Sequence, residues 1–234
     1  MHCCDFHEQG RAVSIEAPNP LSVVSRDACK AALNITGTGQ DGMIDAAIAA
    51  VVAQLDAGFG GSMGLSIGVQ GWELQLTSFF DHRRHWRHTA HNSIVLPNGP
   101  LIGIDSVKYI DQSGVEQTLT KDIDFRVIGM GGRKQYIIPM FNLQWPLARC
   151  DDASVRVQYT AGYDGTVNVL PPSIAQAVCL GVRALLNVTE RNLFISQDSV
   201  EGVGEKRYIV GGGAGDVINK AIGNLIANIA VTAL

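Results

Sequence analysis

Four histidines recur at every third position in the run Asp81-His82-Arg83-Arg84-His85-Trp86-Arg87-His88-Thr89-Ala90-His91. Closely spaced imidazoles are zinc donors, so His82, His85, His88 and His91 are candidate metal ligands. Two features oppose that chemistry. Structural zinc sites usually combine two separated ligand pairs, and three interleaved arginines repel a divalent cation. The run carries a local charge of +2 on a chain whose net charge is −4. Arg83, Arg84, Trp86 and Arg87 are therefore candidates for contact with nucleic-acid phosphates or an acidic protein surface, beside the plainer alternative of a solvated loop between strands. Protonation of the histidines below neutral pH would strengthen either contact.

A second place to look for chemistry is Tyr208 to Gly223, where an apolar stretch, a glycine cluster and a helical pattern follow one another. A dinucleotide-binding turn starting at Gly211 would need glycine at position 216. Asp216 stands there instead, and a carboxylate in that place repels a phosphate. No GK[ST] follows, so a phosphate-binding loop is also excluded. No carboxylate pair, nucleophile elbow or zinc-protease motif occurs. A catalytic triad can be dispersed in sequence, so a hydrolase remains a third-rank alternative. The expectation is a non-enzyme with no cofactor.

The elements that would position these residues come from composition and period. The chain has 234 residues, 46% hydrophobic and 17% charged, which is core-rich and argues against disorder. That length suits one domain or two small ones. The acidic balance disfavours a uniformly basic nucleic-acid binder. Cys3 and Cys4 are adjacent, Cys29, Cys150 and Cys179 are isolated, and the odd count without a CxxC points away from a secreted disulfide framework. Residues 1–10 lack the apolar run of a signal peptide, so folding in a reducing cytoplasm is expected, and the sequons at Asn34 and Asn187 read as chance matches.

Residues 1–21, with Pro18 and Pro20 and no sustained period, read as an N-terminal arm. Ser25 can cap a short helix through Leu33. Asp41 can cap a longer one, about 28 Å long at the helical rise, whose Ile44, Ile48, Val51, Leu55 and Phe59 share a face. Its alanines suit close packing, so Ile44, Ile48, Val51 and Leu55 are candidates for a subunit interface. From Leu65 the period becomes two: Trp72, Leu74 and Leu76 alternate with polar residues, as a half-buried strand requires. Further strands are expected at 93–96, 103–110, 115–119, 125–128, 136–138 and 154–159, with a hairpin turn at Asp111-Gln112-Ser113-Gly114. Pro171-Pro172-Ser173 opens another helix, with Ile174, Val178, Val182, Leu185 and Leu186 as its buried stripe. After the glycines at 211–215, a final amphipathic helix is expected from Asp216. Three asparagines and a lysine interrupt it, so it does not read as a membrane span. It either packs on its own core or docks on a partner.

The order of these elements and several local strings resemble the head-tail connector, or adaptor, proteins of long-tailed double-stranded DNA bacteriophages and gene transfer agents. The strings are Ser25-Arg26-Asp27-Ala28-Cys29-Lys30-Ala31-Ala32-Leu33-Asn34-Ile35 with the helix from Asp41; Gly71-Trp72-Glu73-Leu74-Gln75-Leu76; Ile94-Val95-Leu96-Pro97-Asn98-Gly99-Pro100-Leu101; Val107-Lys108-Tyr109-Ile110-Asp111; and Val155-Arg156-Val157-Gln158-Tyr159-Thr160-Ala161-Gly162-Tyr163 before the Pro171-Pro172 helix. The resemblance implies an α+β chain: a helical bundle built from N- and C-terminal segments, with a β-rich insertion and a hinged C-terminal tail. Its expected divisions are an arm (1–21), helical core (22–64), β-rich insertion (65–165), second part of the helical core (166–207) and tail (208–234).

The function it implies is that of a structural virion protein, made in the host cytoplasm and placed in the neck between portal and tail. Its expected partners are other copies of itself in a twelve-subunit ring, the portal protein, the next neck or tail-completion protein and, transiently and without sequence preference, double-stranded DNA. No membrane is implied. The tail residues Tyr208, Ile209, Val210, Ile218, Ile222, Leu225, Ile226 and Ile229 are the portal-contact candidates. Arg83, Arg84, Trp86 and Arg87 would face DNA or the next ring. The rival expectation is a small cytoplasmic binding module or metalloprotein using the His82–His91 loop.

Overall fold

The computed structural model describes residues 10–79, 93–132, 134–190, 197–200, 204–207, 213–227 and 229. They carry both helices and strands, so the chain belongs to the α+β class that the resemblance implies. The chain divides into two compact units. One comprises Met1–Pro18 and Gly64–Val169, and the other Asn19–Met63 and Leu170–Leu234, so the second unit is interrupted in sequence by most of the first.

The first unit is built on antiparallel sheets. Strands β1 (Arg11–Glu16), β2 (Gln70–Leu76), β4 (Leu101–Ile110), β5 (Glu116–Leu119) and β8 (Val155–Ala161) form a five-stranded sheet in the order β1-β2-β8-β4-β5. Strands β3 (Ile94–Leu96), β6 (Phe125–Ile128) and β7 (Gln135–Pro139) form a second sheet in the order β3-β7-β6. The period of two places Trp72, Leu74 and Leu76 opposite Tyr159, Val157 and Val155, and all six are buried. Tyr159, at the centre, donates its hydroxyl to the Pro97 carbonyl at 2.8 Å. Trp72 Nε1 donates to Ser66 Oγ at 2.8 Å, and Ser66 Oγ donates on to the Asn98 carbonyl at 2.6 Å. The buried polar tips are thereby satisfied.

Residues Arg11–Glu16, read as part of an arm, pair with β2 as an edge strand. The strand is only partly buried, so its period is too weak to see.

Two carboxylates organise turns of this unit. Asp111 closes the β4–β5 hairpin, where Gly114 takes a φ of 87°, by accepting from Ser113 N, Val115 N and Gln117 Nε2. Asp164 accepts from the backbone N–H groups of Thr166, Val167 and Asn168. Asn168 then donates to the Leu101 and Gly162 carbonyls at 3.1 and 3.0 Å. Gly162 is confined to glycine, since its φ is +129° and a Cβ would lie 2.2 Å from the Gly68 carbonyl oxygen.

The second unit is helical. It contains α1 (Pro20–Val23), α2 (Arg26–Leu33), α3 (Asp41–Leu55), α4 (Pro172–Glu190) and α5 (Gly213–Ile226). A hairpin of β9 (Gln197–Val200) and β10 (Gly204–Arg207), which the sequence did not suggest, stands between α4 and α5 in the chain. Ser25 Oγ accepts from Ala28 N and caps α2, and Asn34, with a φ of 55°, ends it. Asp41 is not the cap of α3; Gln40 occupies that place, with no capping bond from its side chain to the helix. The Asp41 carboxylate instead accepts from Lys30 Nζ at 2.6 Å and Arg26 Nη1 at 3.3 Å, while Arg26 Nε reaches Asp45 Oδ1 at 2.7 Å. The Arg26 bond holds the Asp45 carboxyl below its ordinary range.

Helix α3 ends at Leu55, so Phe59 falls in a separate 3-10 turn and is exposed rather than continuing the stripe. Helix α4 packs on both α3 and α5, and α2 packs on α3 and α4. Gly181 of α4 makes the close approach to α3: a Cβ there would come within 2.8 and 2.9 Å of the two Val51 methyl carbons. Helix α5 starts at Gly213 rather than Asp216, which takes Gly213 and Gly215 out of the expected hinge and into the helix.

The acid dependence of the sheet unit follows from Asp111 and Asp164. Hydrogen bonds, led by Gln117 for the first and by the Asn168 N–H for the second, hold each carboxyl at about 2 against an ordinary value of 3.8. A depressed folded-state value means that the stabilisation is full above the ordinary value and is lost as pH falls from about 4 to about 2. The melting temperature should fall across that window, and Asp164→Asn should flatten the fall. An unchanged slope in the variant would count against this role for Asp164.

Candidate functional site

The helical unit contains a groove of about 490 Å³, lined from α3 by Val51, Gln54 and Leu55, from α4 by Gly181, Ala184 and Leu185, and from α5 by Ile222, Gly223 and Ile226, with Ser62 at its side. Its width follows from local sequence: Gly181 and Ala184 give α4 little side-chain bulk on this face. Of the expected portal-contact residues, Ile222, Leu225, Ile226 and Ile229 are half-buried, with α5 lying along α4. The tail helix therefore packs on its own unit and still leaves part of its apolar face uncovered. Ile218 lies on α5, whereas Tyr208, Ile209 and Val210 fall outside the described residues.

The subunit-interface candidates need a correction. Ile44, Ile48, Val51 and Leu55 are all buried within the chain itself. Their stripe faces the unit's own core, and a helical stripe in sequence does not distinguish an internal core from a contact between copies. The histidine-arginine run, with His82, Arg83, Arg84, His85, Trp86, Arg87, His88 and His91, lies outside the described residues. Among the described residues, no group of three or more His, Cys, Asp or Glu side chains could hold a metal ion, and no helix is long and apolar enough to cross a membrane. Cys150 is disulfide-bonded.

The sheet unit presents an apolar surface that the sequence reading missed. In the segment after β7, Leu143 N donates to the Met140 carbonyl at 2.9 Å and Asn142 takes a φ of 64°, so the chain turns with Phe141 at its tip. Phe141 is 84% exposed and Leu147 71%. Trp145, between them, is buried and stacked on Phe79, with ring centroids 4.9 Å apart and an interplanar angle of 7°. Phe79 in turn meets the edge of the Tyr109 ring at 5.6 Å. One aromatic thus anchors the segment while its neighbours point outward. The visible signal was Phe, Leu, Trp and Leu around Pro146 without strand or helix period, which is a composition rather than a pattern. Exposed large apolar groups on a fixed loop are suited to contact with another protein.

No protein-family model matches the chain, and no curated protein matches it. Solved structures do. The chain is similar to a chain in the neck of an empty gene transfer agent (GTA) particle computed with C6 symmetry, at 17% identity and a TM-score of 0.60, covering 96% of this chain and 97% of that one. It is similar to a chain in the virion of a native GTA particle at 17% identity and a TM-score of 0.59, covering 95% and 96%. A chain in the neck of a native GTA particle computed with C12 symmetry matches at 18% identity and a TM-score of 0.51, covering 96% and 97%. At this identity the likeness is one of fold, and it extends along nearly the whole of each chain.

The anchored loop separates surface from support. Phe141→Ser should change stability by less than about 0.5 kcal/mol, whereas Trp145→Ala should cost about 3–5 kcal/mol. Denaturant unfolding of the two variants checks this, and equal losses would refute the division of roles.

Proposed function

We propose that the chain is a structural component of the neck of a phage-like particle, acting as a head-tail adaptor. In this reading twelve copies form a ring beneath the portal, extend the DNA channel and offer a platform to the next neck or tail-completion protein. The observation that carries it is the fold likeness to GTA neck chains over 95% or more of both partners, across the sheet and helical units alike. Three features of the chain support it. Helix α5 keeps a half-buried apolar face, and the Phe141–Leu147 segment exposes another, so each copy has more than one surface for a neighbour. An adaptor must meet both its own copies and the components above and below it, so it needs more than one contact surface. The net charge of −4 suits a conduit through which DNA slides, since net attraction to phosphates would retard it.

Within this proposal Ile222, Leu225, Ile226 and Ile229 contact the portal through the uncovered side of α5. Ile218 and the stretch Tyr208, Ile209 and Val210 extend that contact. Arg83, Arg84, Trp86 and Arg87 face DNA or the next ring.

Quantitative mass spectrometry of purified DNA-filled particles tests the role. The chain should be present in the same copy number as the portal protein, and its absence from intact particles would end the adaptor reading. The tail assignment is tested separately with the double variant Leu225→Ser, Ile229→Ser. It should stay folded by circular dichroism while its incorporation into particles drops about tenfold, the effect of roughly 1.4 kcal/mol lost at a contact. Normal incorporation would remove α5 from the portal contact.

A further inference from the structure

Cys29 on α2 and Cys179 on α4 are free thiols, both buried, and lie close enough for each to shift the ionisation of the other. Their helices are in contact, and they come from the two chain segments that make the helical unit. Neither sulfur has a role in the surfaces described above. Cys29 has 0% of its surface exposed and Cys179 has 5%, so a small solute reaches Cys179 first. The neighbouring Cys29 draws the Cys179 thiol down against the effect of burial, while Cys179 and burial together push Cys29 up. Cys179, the less deeply buried sulfur, is therefore the one an oxidant meets first, with Cys29 held beside it. That is the arrangement of an attacking and a resolving thiol.

We infer that Cys29 and Cys179 form an oxidisable dithiol site, which a hydroperoxide converts to a disulfide joining α2 to α4. The Cys179 thiolate attacks one peroxide oxygen and the O–O bond breaks, leaving a sulfenic acid on Sγ. The departing hydroxide takes up the proton that Cys179 released. Cys29 Sγ then attacks that sulfur, the S–S bond forms, the S–O bond breaks, and water leaves with the Cys29 proton. Two thiols and hydrogen peroxide become one disulfide and two waters; the dithiol loses two electrons and the peroxide gains them. The new bond spans the whole stretch from β2 to β8 in sequence and ties together the two segments of the helical unit. A closed loop of that length restricts the unfolded chain, so the oxidised form resists unfolding. This chemistry does not depend on the neck role.

The test uses the full chain, purified reduced, freed of reductant and titrated with hydrogen peroxide. The sample is then alkylated under denaturing conditions and mapped by mass spectrometry without reduction. The expected result is a peptide pair linked through Cys29 and Cys179 within one chain, a melting temperature raised by several degrees, and reversal of both by dithiothreitol. Cys29→Ser should leave a sulfenic acid on Cys179 that a dimedone probe traps, and Cys179→Ser should abolish the reaction. Mapping of the unsubstituted chain decides the matter even where a serine in the core unfolds a variant. Full alkylation of both cysteines after peroxide, a link between two chains, or separate oxidation of the two sulfurs would each overturn the inference. Reduction also opens the bond at Cys150, so the same map follows its re-formation at its own peptide, and the rise in melting temperature is read against Cys29→Ser, which keeps Cys150.

Discussion

The helical unit depends on how closely α3 and α4 can approach. They belong to chain segments separated by Gly64–Val169, so no local connection holds them together. What does is the contact between α3, with Ile44, Ile48, Val51 and Leu55 buried, and α4, with Ile174, Val178 and Val182 buried, side chains whose full burial contributes about 1.5–3 kcal/mol each. Gly181 sets the distance, because its missing Cβ is the space that the Val51 methyl groups fill. A glycine inside a helix costs about 1 kcal/mol relative to alanine, and here that cost is offset by tighter contact over the whole interface. The same small residue also opens the groove against α5. Core packing and the half-covered apolar face thus have a common origin.

The sheet unit is held differently. Its central residues, Trp72 and Tyr159, are large and buried, and each carries one polar atom that must find a partner inside. Ser66 and the carbonyls of Pro97 and Asn98 supply those partners, so the segment around residues 97–99 is fixed by the sheet rather than only connecting strands. The Asn168 carboxamide does the same beside that segment by bonding the Leu101 and Gly162 carbonyls at once. Loops fastened in this way can carry exposed apolar side chains without collapsing onto them, as the stacked Trp145 illustrates.

What the sequence disclosed is what produces a strong local signal. Ser25 as a cap, the alternation of Trp72, Leu74 and Leu76, the Asp111–Gly114 turn and the start of α4 at Pro172 were all readable, since each depends on neighbours within a few residues. Strand β1 was not, because an edge strand with polar residues on both faces owes its existence to the partner it pairs with. Asp41 was misread as a cap because its cations, Arg26 and Lys30, lie on another helix. The start of α5 was placed late because glycines signal a hinge locally, while packing on α4 favours a helix. The candidate surfaces were legible only in part. The apolar face of α5 has a period, whereas Phe141 and Leu147 have none, and burial of the α3 stripe inside its own chain is a tertiary fact.

The interruption of the helical unit has a consequence for synthesis on the ribosome. Helix α3 emerges with its apolar face complete and its partner not yet made. At about 5–20 residues per second, translation of Gly64–Val169 takes on the order of 5–20 seconds before α4 follows. Apart from the strand at Arg11–Glu16, already synthesised, the sheet unit is contiguous; its local hairpins form within microseconds, and the sheet closes once β8 emerges, before the 19 residues of α4 are complete. Nascent α3 meanwhile offers Ile44, Ile48, Val51 and Leu55 to whatever is nearby, which makes it the segment for a chaperone to shield. Vectorial synthesis therefore sets an order, sheet first and helices last, that the finished molecule no longer displays.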